Sequence, residues 1–198
     1  DVDVLTEEIV QLMGFDQSLA VVESHVNLWD ETDIVTITYG DSIKKDDEYP
    51  LQTLHNFLRG YLSEAVNAVH ILPFYPFSSD DGFSVINYSE VNQSLGDWEN
   101  ISDIAKDFKL MADLVINHCS SRSLWFENFL KNESPGADYF FTADPEDDLS
   151  QVVRPRTSDL LREVVAIDGT RHVWCTFSHD QIDFDFSNPE VLLEFLRI

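Results

Sequence analysis

The sequence predicts an α/β fold built on a parallel sheet. Three observations carry this. The runs IVTITY (34–39), VHILPF (69–74) and LMADLVIN (110–117) have the β-branched, near-continuous apolar make-up of buried parallel strands. Between them, apolar residues recur at helical spacing. Each run ends on polar or turn-forming residues, where parallel α/β folds keep their chemistry. The coarse order is β-α-β-α-β.

Residues 4–23 predict one or two helices, with Thr6 as a cap, Ile9, Val10 and Met13 facing inward, and Gly14 ending the first. This segment is expected to pack outside the main fold. After the first strand, Gly40, Asp41 and Ser42 turn the chain. Leu51, Leu54, Phe57, Leu58 and Leu62 then mark a helix opening near Pro50, which completes a right-handed βαβ unit with the second strand. A second helix is predicted over Trp98–Lys109, opening at Gly96-Asp97, with Ile101, Ile104, Ala105 and Phe108 as its buried stripe.

Beyond the third strand the alternation stops. Residues 119–182 hold aromatic patches (Trp125, Phe126, Phe129, Tyr139, Phe140, Phe141), an acidic turn from Asp144 to Asp148, the cationic knot Arg154-Pro155-Arg156 and one short strand at 172–177. This pattern is that of an inserted subdomain. A helix resumes at Asn188-Pro189-Glu190, with Pro in its first turn and Val191, Leu192, Phe195 and Leu196 apolar. The expected organisation is a helical extension (1–33), strands 1–3 with two helices (34–118), an insertion (119–182) and a return to the main fold (183–198).

Composition narrows the function. With 12 basic against 37 acidic residues the net charge is −25, which argues against nucleic acid or an anionic membrane as partner, since both require positive surface. No apolar run reaches the 18 residues of a membrane span. Cys119 and Cys175 give neither a disulfide framework nor metal spacing; reduced, cytoplasmic thiols are the expectation. There is no Gly-rich phosphate loop, zinc-ligand spacing or G-x-S-x-G elbow, and no cofactor or metal is expected.

Three constellations remain. Asp80 and Asp81, with Gly82 and Phe83 behind them, follow the second strand; they can orient sugar hydroxyls, bind a metal, or cap a turn. Asp113, Asn117 and His118 lie on or just past the third strand. A carboxylate in a buried strand needs a partner, so Asp113 has a structural task, while His118 reads equally as core residue or as functional group. Arg154 and Arg156 either anchor the acidic turn or form an anion site, since guanidinium groups grip phosphate or carboxylate in forked geometry.

Taken together, ITYGDS (37–42), VHILPFYPFSSDDGF (69–83), LGDW (95–98), DLVINH (113–118), RPR (154–156) and WCTFSHDQIDFDFSNPEVL (174–192) resemble the sucrose phosphorylase branch of the α-amylase superfamily, glycoside hydrolase family 13. The resemblance runs from about residue 34 to the end of the chain. The context of RPR is closer to glucosylglycerate-type and sucrose 6-phosphate-type members. It implies the first part of a (β/α)8 barrel, about three strands, with a B subdomain inserted after the third and the barrel incomplete. It further implies that Asp80 and His118 hold a glucosyl ring, that Phe83 is its apolar platform, that Phe177 and Gln181 line the sugar site, and that Arg156, with Arg154, meets phosphate or acceptor. Asp113 and Asn117 would be supporting residues. The implied partners are an α-glucoside and inorganic phosphate. The family nucleophile lies in an Arg-x-Asp motif, and no Arg-x-Asp occurs in these 198 residues. Asn87 and Val153 stand where relatives carry Asp and, in sucrose-specific members, Tyr.

Overall fold

The computed structural model describes residues 2–15, 30–154 and 156–198. In chain order its first elements are α1 (Val2–Leu12), β1 (Val35–Thr38), α2 (Pro50–Phe57), β2 (Ala68–Ile71), α3 (Trp98–Asp107) and β3 (Lys109–Ala112). They are followed by β4 (His118–Ser120), α4 (Leu124–Lys131), β5 (Leu161–Ala166), β6 (Gly169–Trp174), β7 (Gln181–Asp183) and α5 (Pro189–Arg197). The chain divides into two compact units, Asn27–Val115, and Asp1–Val26 together with Ile116–Ile198.

The Asn27–Val115 unit holds a three-stranded sheet, β1-β2-β3, parallel throughout. Its register puts Thr36, Val69 and Leu110 in one row and Thr38, Ile71 and Ala112 in the next on the same face. Val69 and Ile71 are fully buried there. Leu51 and Leu54 of α2 and Ile101 and Ile104 of α3 are buried too, each worth about 1.5–3 kcal/mol relative to exposure. The opposite face carries the row Ile37, His70 and Met111. Ile37 is 65% and Met111 45% exposed, so β1 is not the fully buried strand expected. A pleated strand sends alternate side chains to opposite faces, and only one face is covered.

The helices start where the chain offers caps. Asp97 accepts from the N–H groups of Glu99 (2.9 Å) and Asn100 (3.1 Å), and the Asn100 side chain returns the bond to the Asp97 N–H at 3.1 Å, a reciprocal capping box. Pro50 occupies the first turn of α2, and the helix continues into a π-helical turn at Leu58–Leu62. In α3, Ala105 is exposed rather than part of the buried stripe, and the helix ends at Asp107 because Phe108 is extended and begins the run into β3.

The third strand is shorter than the apolar run suggests. Its ladder stops at Ala112, and the residues after it make other contacts. Asp113 bonds His70 at 2.7 Å, and Tyr88 Oη donates to the Val115 carbonyl at 2.7 Å.

In the other unit, β4 pairs antiparallel with β7, and β5 with β6. An aromatic core of Phe126, Phe129, Phe140, Phe184 and Phe195 joins α4 and α5 to these ribbons, with ring centroids 5.2–5.6 Å apart. The short strand expected at 172–177 is β6, ending at Trp174, and its partner β5 and helix α4 were not foreseen. α5 opens at Pro189 with Asn188 capping the Glu190 N–H at 3.0 Å. It buries Val191, Leu193 and Phe195, while Leu192 turns outward. In α1, Thr6 is not the cap. It lies inside the helix and donates to the Val2 carbonyl. Ile9 and Val10 are half-buried, whereas Met13 lies beyond the last helical turn and is exposed. Residues 16–23 of the predicted helical segment lie outside the described residues.

Candidate functional site

The candidate residues fall in both units and are taken unit by unit. In the Asn27–Val115 unit, the segment after β2 doubles back on itself. Phe77 bridges Val85, and the Ser78 N–H donates to the Ser84 carbonyl at 3.0 Å. At the tip, Asp80 and Asp81 are both left-handed, with φ of 57° and 50°. Asp tolerates this conformation better than most residues, but two in succession store strain, which folds retain where a site needs it. Gly82 follows at φ +109°, where a Cβ would stand 2.6 Å from the Pro73 carbonyl oxygen. Both carboxylates are exposed, and Phe83, the next residue after Gly82, is half-buried. A cleft of about 330 Å³ lies at the carboxyl ends of β1 and β2, lined by Tyr39, Asp41, Pro73, Phe77, Asp81 and Leu95 among others. On the sheet face, Asp113 is held by His70. Asn87 is occupied locally, accepting from both the N–H and hydroxyl of Ser89.

In the second unit the β4–β7 ribbon positions the remaining groups. His118 pairs directly opposite Asp183, and Ser120 opposite Gln181. Cross-strand partners share a face, so His118, Gln181 and Asp183 lie on one side, while the fully buried Cys119 and Ile182 lie on the other. Ser178 Oγ donates to Gln181 Oε1 at 2.9 Å, and Gln181 Nε2 donates to His118 Nε2 at 3.1 Å. The His118 and Gln181 side chains are almost fully buried. The Phe177 ring lies 5.2 Å from the His118 ring, and the Arg156 guanidinium lies over Phe177 at 5.5 Å. An imidazole, an amide, an aromatic face and a cation are therefore gathered within a few ångströms, a set suited to a polyhydroxylated ring beside an anion.

Arg154 points elsewhere. Its Nη1 donates to the Thr176 carbonyl at 3.4 Å and lies 3.5 Å from Ser158 Oγ. The acids of the 144–148 turn accept from their own backbone: Asp144 from Glu146, Asp147 from Asp144, Asp148 from Ser150. Asn117 is exposed and contributes its carbonyl, which accepts from the Phe184 N–H at 3.0 Å. Burial pushes the thiols of Cys119 and Cys175 up to about 12, so neither is a nucleophile near neutral pH. Among the described residues, no group of three or more His, Cys, Asp or Glu could hold a metal ion, and no helix is long and apolar enough to cross a membrane.

Two groups escaped the sequence reading, Asp183 and Thr176. The Asp183 carboxylate accepts from both the hydroxyl and the N–H of Thr176. The two-residue spacing of Gln181 and Asp183, which puts them on one face of a strand, was the available signal.

Parallel strands alternating with helices, with polar residues at the strands' carboxyl ends, define the class of parallel α/β folds to which the barrels belong. The Alpha-amylase catalytic-domain model matches residues 60–198, and the chain belongs to that family. It is 51% identical over 169 residues to a glucosylglycerate phosphorylase of Spirochaeta thermophila, covering 85% of this chain and 29% of that protein. It is 46% identical over 171 residues to the glucosylglycerate phosphorylase of Escherichia coli, covering 86% of this chain and 31% of that one. The chain thus spans about three-tenths of the length of these relatives. Among solved structures, sucrose 6F-phosphate phosphorylase from Thermoanaerobacter thermosaccharolyticum superposes with a TM-score of 0.74 at 33% identity, covering 85% of this chain and 36% of that one. The fold is accordingly a part of a (β/α)8 barrel, with three parallel strands and no closed barrel among the described residues.

Proposed function

We propose that this chain forms part of a retaining glucoside phosphorylase. The full-length protein would cleave an α-glucoside such as glucosylglycerate, sucrose or sucrose 6-phosphate with inorganic phosphate and release α-glucose 1-phosphate. The observation that carries this reading is the gathering of His118, Gln181, Phe177 and Arg156 on and beside one ribbon. His118 and Gln181 supply polar contacts to sugar hydroxyls, and Phe177 supplies an apolar face. Arg156 supplies positive charge for phosphate in a chain that otherwise repels anions. Asp80 and Phe83, in the other unit, keep the donor-sugar roles that the family resemblance implies.

The chemistry is a double displacement. A carboxylate nucleophile attacks the anomeric carbon as the glycosidic bond breaks, and a carboxylic acid protonates the departing oxygen. A phosphate oxygen then attacks the same carbon, the ester bond breaks, and the nucleophile is regenerated. Both carboxyl groups are assigned to sequence outside these 198 residues, the nucleophile in an Arg-x-Asp motif.

The test is direct. Full-length protein is incubated with each candidate glucoside with and without phosphate, and α-glucose 1-phosphate is measured. Phosphate-dependent release is expected. Glucose release at the same rate in both arms would make the protein a hydrolase and overturn the phosphorylase assignment.

A further inference from the structure

We propose that Asp183 is a positioning residue for the sugar site, gripping Thr176 at two points and thereby setting the bend that presents Phe177 and Gln181 beside His118. The inference rests on the reading of those three residues as sugar contacts, but its geometry stands independently. Asp183 lies directly across the ladder from His118 and on the same face. One carboxylate oxygen accepts from the Thr176 hydroxyl and the other from the Thr176 N–H at 3.4 Å. The hydroxyl in turn accepts from the Trp174 indole N–H at 3.2 Å, at the end of β6. Thr176 is therefore held from the preceding strand and from the following one.

The residues after it inherit that position. Phe177 is the next residue, and Ser178 donates to the Gln181 amide that bonds His118. The segment is pinned again further on. The Arg162 guanidinium donates to the His179 carbonyl at 2.6 Å, and Ser121 Oγ donates to Asp180 at 2.7 Å. With both ends fixed, the five residues from Thr176 to Asp180 have little freedom except through Thr176. Releasing it lets the Phe177 ring and the Ser178–Gln181–His118 chain shift together. A displacement of about 1 Å at a substrate-orienting group costs on the order of a hundredfold in rate. Arg154 belongs to the same brace through the Thr176 carbonyl, which separates its task from that of Arg156.

The test compares Thr176→Val, Thr176→Ser and Asp183→Asn in the full-length protein. Thr176→Val keeps shape and loses the hydroxyl; Thr176→Ser keeps the hydroxyl. Glucoside phosphorolysis by Thr176→Val and Asp183→Asn should fall about 10–100-fold in kcat/KM, with Thr176→Ser recovering most of the loss. Amide hydrogen exchange over 176–181 should quicken at least about tenfold in Thr176→Val, with the β5–β6 hairpin unchanged. Wild-type kinetics and unchanged exchange in Thr176→Val would overturn the proposal. If the wild type turns over no glucoside, the functional reading fails by itself, and hydrogen exchange alone decides whether Asp183 and Thr176 set the bend.

Discussion

Gly82→Ala tests the strained turn that carries Asp80. The added Cβ would stand 2.6 Å from the Pro73 carbonyl oxygen and 3.1 Å from Pro73 Cβ. Ordinary contact begins near 3.4 Å, so the backbone must open by roughly 0.8 Å, and overpacking of this kind costs about 1–3 kcal/mol. The φ of +109° adds strain of about 1–3 kcal/mol for a residue with a side chain. Together these predict a loss of about 2–6 kcal/mol, a large part of a domain's total stability. Gly60→Ala is the matched control. It lies in the π-helical turn with nothing within 4 Å of the new methyl group, and it should be neutral or stabilising by up to about 1 kcal/mol. Urea unfolding followed by circular dichroism measures both. Equal midpoints for the two variants would refute the claim that close approach to Pro73 dictates glycine at position 82.

Three further outcomes are expected. Asp97→Ala removes the cap shared by the Glu99 and Asn100 N–H groups and should lower stability by about 1 kcal/mol, read by thermal unfolding. The Lys109 ammonium, followed by the Asp30 N–H and Asn67 amide, holds the Asp33 carboxyl at about 2, below its ordinary 3.8. It therefore contributes stability that is complete above the ordinary value and lost as the pH falls towards 2. Asp33→Asn should flatten the stability–pH profile in that window. Burial pushes the Asp183 carboxyl up despite the opposing Thr176 hydrogen bonds. A raised carboxyl contributes most below its ordinary range and loses that contribution as the pH rises through its folded-state value. Asp183→Asn should thus gain on the wild type as the pH rises above the ordinary carboxyl value of 3.8, measured by denaturant midpoints.

Elements with local signals were legible. β1 and β2 stood out as β-branched runs, α2 and α5 announced themselves with proline in the first turn, and α3 opened on Asp97 with its periodic stripe. α4 was missed although Ser123, which caps the Phe126 N–H at 3.1 Å, was available as a start signal. The aromatic residues behind it read as a patch because their helical spacing was too dense to show a period. The β5–β6 hairpin was half-missed although Asp168-Gly169, where the two-residue turn Ile167-Asp168 runs into β6, is a dipeptide typical of hairpins. The third strand was read too long, since an apolar run says nothing about where ladder partners run out.

What the sequence determined by itself is whatever depends on neighbours a few residues apart: the three parallel strands, the starts of α2, α3 and α5, and motifs specific enough to reveal the family. What only the tertiary structure decided is every pairing of chain-distant groups. His70 meets Asp113, Gln181 meets His118, and Asp183 crosses the ladder from His118 while gripping Thr176. Hydrogen bonds act over about 3 Å, so a carboxylate acquires its role from whatever the fold brings that close. For Asp183 the register of β4 against β7, invisible in the order of residues, was the deciding fact.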